Sequence, residues 1–210
     1  MRLNNVVRCE TFPCSDVRHE SYRIPGIELA PEDVSIVLIS ESAAVRPEDD
    51  YYAGPEALFA QTTVQAFRDA GAEVSSIEEI LALGVYLTTA VKCAKMGYGI
   101  ATGTVVECSR LLAQGLAPFT AVRAWLLMGD VAIKAVNAVA RRTDQPRVIP
   151  AGSTCRLREA EYTCRGARAF PSYLQAGPSY FIEKSKRQMI AEDIAAALTL
   201  ARKTPETRCD

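Results

Sequence analysis

The sequence predicts an α/β fold, a three-layer α/β/α sandwich around a central parallel sheet. Short β-branched apolar runs alternate with longer segments of helical periodicity, which is the pattern of β-α-β units. The chain has 210 residues, of which 49% are hydrophobic and 23% are charged, as in folded globular proteins. This length suits one domain. We therefore expect a domain at 34–202, preceded by an N-terminal arm (1–33) and followed by a polar tail (203–210).

The first half of this domain supplies two strands and three helices. The segments 34–40 and 85–91 are short, apolar and rich in β-branched residues, as expected for buried strands. Between them, 56–70 places its apolar residues on one face and is followed by a glycine, which predicts a helix. A second helix, 77–83, begins after two serines that can cap it. The third predicted helix is 105–114.

The second half continues the alternation of strands and helices. Its predicted strands are 121–128, 147–149 and 168–170, and its predicted helices are 131–142 and 180–202. In parallel α/β sheets, ligands bind at the carboxyl ends of the strands. The functional residues should therefore lie in the four loops that begin near residues 41, 92, 129 and 171.

Charge and motif content exclude several classes of protein. The 24 basic and 25 acidic residues give a net charge of −1, so a nucleic-acid surface must be a local patch. No apolar run is long enough to span a membrane and no signal peptide is visible, so we expect a cytoplasmic protein without membrane association. Glycine-rich nucleotide-binding motifs are absent, and we expect no nucleotide cofactor. With His19 as its one histidine, the chain has no multi-histidine metal site.

The chain contains seven cysteines, an odd number that argues against a disulfide framework in a cytoplasmic protein. Four thiolates can hold an iron–sulfur cluster or a structural zinc ion. Alternatively, all seven are buried thiols that pack like small hydrophobic side chains.

Five motifs occur in an order that resembles the iron–sulfur uracil-DNA glycosylases across residues 34–200. Residues 86–93 read Tyr-Leu-Thr-Thr-Ala-Val-Lys-Cys, and Cys108 follows an acidic residue fifteen positions later. The remaining motifs are 39–44 with the acidic pair 48–49, then 127–132, 170–174 and the acidic pair 192–193. The resemblance implies a monomeric hydrolase of base-excision repair. Its partner would be DNA, from which it removes uracil or another deaminated base, and its cofactor a [4Fe–4S] cluster.

The resemblance also implies roles for individual residues. Glu41 would be the catalytic carboxylate, which orients water or stabilises an oxocarbenium-like cation; the alternative is a solvated loop residue. The residues that would bind the base are Ser40, Ser42, Tyr52, Phe59, Thr89 and Phe170. Those that would contact DNA are Lys92, Lys95, Ser172 and Tyr173, and those that would hold the cluster are Cys9, Cys14, Cys93 and Cys108. Structural zinc, or no metal, are the alternatives to the cluster.

The sequence departs from the family pattern at several of these positions. Ser40, Ala43 and Ala44 stand where the family has Gly, Pro and Gly. Thr89 replaces the asparagine that reads uracil, and Phe170 replaces the histidine that supports the departing base. Phe170 cannot donate a hydrogen bond, but its ring could stack on a base or wedge into the duplex. The alternative function is therefore a DNA-binding relative with little or no glycosylase activity.

Overall fold

The computed structural model describes residues 1–202, and Cys209 and the rest of the predicted tail lie outside them. The described residues contain seven strands and six α-helices, together with short 3-10 helices. The strands are β1 (Val17–Arg18), β2 (Ile36–Ser42), β3 (Val85–Val91), β4 (Ala94–Lys95), β5 (Ala124–Met128), β6 (Tyr162–Cys164) and β7 (Ala167–Ser172). The helices are α1 (Leu58–Asp69), α2 (Ile77–Ala82), α3 (Thr102–Leu116), α4 (Asp130–Arg142), α5 (Thr154–Leu157) and α6 (Lys184–Arg202).

Five of the strands form one sheet in the order β3-β2-β5-β7-β6. The first four strands are parallel, and β6 pairs antiparallel with β7 at one edge. Helices connect the parallel strands and cover both faces of the sheet, as β-α-β crossovers require. The predicted three-layer α/β fold is therefore confirmed.

The core lies on both faces of the sheet, which explains why the strands are almost entirely apolar. Alternate residues of β2 face opposite layers, so that Val37 and Ile39 pack with α3 and α4 whereas Ile36 and Leu38 pack with α1, α2 and α6. All four side chains are fully buried. The arm also contributes to the first of these layers, through apolar residues that include Leu3.

Several element boundaries differ from the sequence-based expectations. The strand β2 lies two residues later than predicted, and α6 begins at Lys184 because Pro178–Phe181 forms a separate 3-10 helix. The predicted strand at 147–149 was wrong. The Asn137 side chain bonds the backbone of Ile149 in place of a neighbouring strand. Its Nδ2 donates to the Ile149 carbonyl at 2.9 Å, and its Oδ1 accepts from the Ile149 amide at 3.0 Å. Among residues 1–202, no helix is both long and apolar enough to span a membrane.

Candidate active site

A cavity of about 270 Å³ opens at the carboxyl end of the sheet. Glu41 near the end of β2, Gly129 and Asp130 at the start of α4, and Tyr173 and Leu174 after β7 all line it. Three of the four loops predicted to carry function therefore meet in one cavity. The beginning of α6 and the 3-10 helix before it close the cavity on its other side.

The Glu41 carboxylate is held against the backbone at the start of α4. Gly129 has a φ of +99° and a ψ of 165°, a conformation that only glycine adopts readily. A Cβ atom added to Gly129 would lie 2.6 Å from Glu41 Oε1, so only glycine leaves room for this carboxylate. The Lys95 Nζ lies 3.7 Å from Glu41 Oε2, and the Glu41 side chain is 18% exposed. The carboxylate is thus restrained, paired with a cation and still reached by solvent.

The cations contributed by α6 already have acidic partners. Arg187 forms a bidentate ion pair with Asp69, and the Tyr180 hydroxyl donates a hydrogen bond to the same carboxylate at 2.6 Å. The Arg187 guanidinium lowers the pKa of Asp69 to about 2. Lys186 Nζ lies 2.7 Å from Glu183 and 5.4 Å from the ring centroid of Tyr173. This wall of the cavity is therefore nearly neutral.

Buried Tyr51 lies beside two of the residues predicted to bind the base. Ser40 is close to the Tyr51 hydroxyl but donates its hydrogen bond to the carbonyl of Thr88 at 3.4 Å, and the Phe59 ring lies 5.3 Å from the Tyr51 ring. Gln175 Nε2 donates to Tyr51 Oη at 2.9 Å, while Gln175 Oε1 is buried without a partner among the described residues. The sequence analysis missed Tyr51 and Gln175, because neither belongs to a motif or a periodic pattern.

Three further residues predicted to bind the base lie around β3 rather than in the cavity. The Tyr52 hydroxyl donates to the carbonyl of Leu87 at 2.9 Å and accepts from its amide at 3.1 Å. Ser42 and Thr89 are buried, at 8% and 6% exposure. Any contact between these residues and a base therefore requires a ligand that reaches beyond the Glu41 cavity, and their role in binding stays a prediction.

The structure places Phe170 and Ser172 inside the protein, because β7 continues through Ser172. Phe170 is 9% exposed and packs in the core, with the Arg168 guanidinium 5.2 Å from its ring centroid. Ser172 is fully buried beside Asp193, and its hydroxyl finds no partner of normal geometry among residues 1–202. Both side chains are buried, as Ser42 and Thr89 are, and their contacts with a base or with DNA stay predictions. Tyr173 is half-buried and lines the cavity.

The two lysines predicted to contact DNA differ in exposure. Lys92 is 3% exposed, and its ammonium group donates to Thr88 Oγ1 at 2.9 Å and to the carbonyl of Thr89. Burial lowers the pKa of Lys92 to about 8. The ammonium group of Lys92 therefore points inward, and its contact with DNA stays a prediction. Lys95 is 36% exposed at the edge of the cavity.

Large apolar side chains project into solvent in two segments that adjoin the cavity. Phe181 and Ile182, which follow the cavity residue Tyr180, are 52% and 76% exposed. In the loop after Lys95, Met96 is 60% exposed and Tyr98 is fully exposed. The sequence analysis did not identify these residues, although the glycines on both sides of Tyr98 mark an exposed turn.

The arm brings its two cysteines towards the end of β3 and towards α3. The strand β1 pairs with β4, which begins directly after Cys93. Asp16 accepts hydrogen bonds from the Ala101 amide, at 2.6 Å, and from the Thr104 hydroxyl. Cys108 lies one helical turn after Thr104, so both side chains are on one face of α3.

The four predicted cluster cysteines lie near enough to influence one another electrostatically. Burial raises the pKa of the Cys93 thiol to about 12, and Cys108, Cys9 and Cys14 add to this rise by their charges. Burial likewise raises the pKa of Cys108 and of Cys14. Four thiols that ligate one centre are the donor set of an iron–sulfur cluster or a structural zinc site. In the described part of the chain, however, no group of three or more Cys, His, Asp or Glu side chains is arranged as a metal site.

Comparisons with known proteins find a likeness among solved structures. No protein-family model and no curated protein sequence matches the chain. Among solved structures, the crystal structure of the wild-type UNG from Nitratifractor salsuginis is similar, with 12% sequence identity and a TM-score of 0.39. The alignment covers 80% of this chain and 75% of that chain. A likeness of this size establishes neither a family nor a function.

Proposed function

We propose that this protein is a DNA glycosylase that hydrolyses the N-glycosidic bond of uracil or another deaminated base. One observation carries the proposal: three loops that are distant in sequence and resemble glycosylase motifs line one cavity. These loops contain Glu41, Gly129 with Asp130, and Tyr173 with Leu174. Any parallel sheet brings the carboxyl ends of its strands together, so the feature that supports this chemistry is the restrained carboxylate that the three motifs surround.

The geometry of Glu41 suits the chemistry of glycosidic bond hydrolysis. Such bonds break through an oxocarbenium-like state that needs a carboxylate or an oriented water on one face of the sugar. In the proposed reaction, water adds to the anomeric carbon and gives its proton to Glu41. The base leaves with the electron pair of the glycosidic bond and later takes up a proton. Lys95, whose Nζ lies 3.7 Å from Glu41 Oε2, would hold this carboxylate in its ionised form beside the water.

DNA is the proposed partner, since an enzyme that acts on a base must first take it out of the stack. Proteins that unstack DNA insert apolar side chains between base pairs. Two exposed apolar pairs follow residues of the site along the chain: Phe181 and Ile182 after Tyr180, and Met96 and Tyr98 after Lys95. We propose that they, and not the buried Phe170, fill the space that the extruded base leaves.

An excision assay tests this proposal directly. Purified protein is incubated with labelled oligonucleotides that contain uracil, hypoxanthine or xanthine, and alkali then cleaves the strand at each abasic site. We expect excision of at least one base, and a loss of about 10²–10³-fold in rate for Glu41→Gln, as for other preorganised charges. Glu48→Gln is the matched control, because Glu48 is an exposed carboxylate on the same loop. Failure of the native protein to excise any of these bases would overturn the proposal.

One observation favours the second candidate function, a DNA-binding protein without glycosylase activity. Phe170 occupies the position of the leaving-group histidine but lies in the core, and the chain's one histidine, His19, contacts the backbone of Cys14 in the arm. No histidine is therefore available to support the departing base. DNA binding without excision in the same assay would favour this second function.

We further propose that Cys9, Cys14, Cys93 and Cys108 hold a [4Fe–4S] cluster. Their convergence from the arm, the end of β3 and α3 supports this, and the cluster would fasten the arm to the sheet. Protein purified without oxygen should be brown and contain iron, and Cys93→Ala should lose both properties. Cys155→Ala is the control, since Cys155 is exposed on α5. Zinc or no metal in the native protein would contradict the cluster.

A further inference from the structure

A second groove, of about 360 Å³, adjoins the candidate active site. It lies between α3, α4 and the segment 147–157. Asp130 and Thr154 line both this groove and the cavity around Glu41. The two depressions are therefore continuous at the start of α4.

The groove carries positive charge that the protein does not neutralise. Arg141 and Arg147 are exposed in its lining, and within residues 1–202 neither forms an ion pair or a hydrogen bond through its guanidinium. Its third cation, Lys134, is paired with Asp130 at 2.5 Å. The neighbouring Arg142, by contrast, donates to Ser109 Oγ at 2.9 Å and to the Val106 carbonyl at 2.7 Å. Two free guanidiniums in one groove are notable in a chain with a net charge of −1.

The rest of the groove is built to hold its shape. The paired hydrogen bonds between Asn137 and the backbone of Ile149 fix the segment that carries Arg147. Val105, Ile133 and Leu157 are buried side chains that contribute an apolar surface to its wall. An apolar surface beside free guanidiniums matches the sugars and phosphates of a nucleic-acid backbone, because Arg binds phosphate through two parallel N–H groups.

We propose that this groove binds the phosphate backbone of the DNA strand that continues from the candidate active site, with Arg141 and Arg147 as the phosphate contacts. The proposal relies on DNA as the partner of the proposed function. It does not rely on excision, since backbone contacts fix position on DNA without reading the sequence or requiring a damaged base. Because the chain has no excess of positive charge, its attraction to DNA must come from local contacts such as these two arginines.

The test measures how salt weakens the binding of undamaged duplex DNA. Each phosphate contact contributes about 0.9 to the slope of log K against log salt. Arg141→Ala and Arg147→Ala should each lower this slope by about one unit, and the double variant by about two. When the salt concentration rises from 50 to 200 mM, the fold-loss of DNA affinity in the double variant should then be about ten times smaller than in the native protein. Arg202→Ala is the matched control, since Arg202 is an exposed arginine at the end of α6, beside the amino end of β5.

The outcomes separate this inference from the proposed function. A reduced slope in the double variant and an unchanged slope in Arg202→Ala support the groove, and Arg141→Lys with Arg147→Lys should restore most of the slope. An unchanged slope in the double variant overturns the inference, whether or not the protein excises a base. Equal losses in the double variant and the control also overturn it. Loss of excision with normal binding bears on the active site alone.

Discussion

The contact between Gly129 and Glu41 provides the sharpest test of the proposed site. In Gly129→Ala, the new Cβ would lie 2.6 Å from Oε1, 2.9 Å from Cγ and 3.0 Å from Cδ of Glu41, so the whole side chain must move. A non-glycine residue at a φ of +99° also costs about 1–3 kcal/mol in backbone strain. For a chain of this length, a loss of 2 kcal/mol lowers the melting temperature by about 4–8 °C. We expect this loss together with a large fall in base excision.

Two controls separate strain from displacement of the carboxylate. Gly71 has a φ of +84° with no atom within 4 Å of an added Cβ, so Gly71→Ala should lose stability and keep its excision rate. In a double-mutant cycle, Glu41→Ala should recover part of the stability lost in Gly129→Ala, because it removes the atoms that the new methyl group meets. Thermal unfolding and the excision assay measure both effects. A Gly129→Ala variant with native stability, or no coupling between the two positions, would refute this reasoning.

Three other predictions concern the surroundings of the site. Arg187 lowers the pKa of Asp69 from 3.8 to about 2, so the ion pair should add about 1–2 kcal/mol of stability above pH 4. This contribution is lost as the pH falls towards 2. Urea unfolding should therefore show that Asp69→Asn is destabilising at pH 7 but not at pH 2, and equal losses at both pH values would contradict this. Phe170→His should cost about 1–3 kcal/mol in the same measurement, because it places a polar ring in the core. It should not raise the rate of uracil excision, and a gain would show that the ring reaches the base. Lys92→Met should leave the salt dependence of DNA binding unchanged, since the ammonium points inward, and a smaller slope would show that Lys92 reaches phosphate.

The sequence alone was sufficient to predict the fold class and the edge of the sheet that carries the candidate site. Strands buried on both faces leave continuous β-branched runs, so the predicted segment 85–91 coincides with β3. Parallel strands joined by helices must present their carboxyl ends together, which is why Glu41 and Gly129 meet as expected. Two-residue strands such as β1 and β4 have too few residues to show a periodicity, so no pattern in the sequence predicted them.

Only the tertiary structure decided which polar and aromatic residues are free to act. Phe170 and Ser172 are buried because β7 continues through Ser172. Lys92 follows the end of β3, but it is buried because its side chain turns inward to Thr88 and Thr89. A shift of one residue along a strand exchanges its two faces, and no local pattern fixes that register at a strand end. Whether Arg141 or Arg142 is free likewise depends on hydrogen-bond partners in α3, more than thirty residues away. Composition and periodicity determine which segments are buried, whereas exposure of a single side chain depends on neighbours that are distant in sequence.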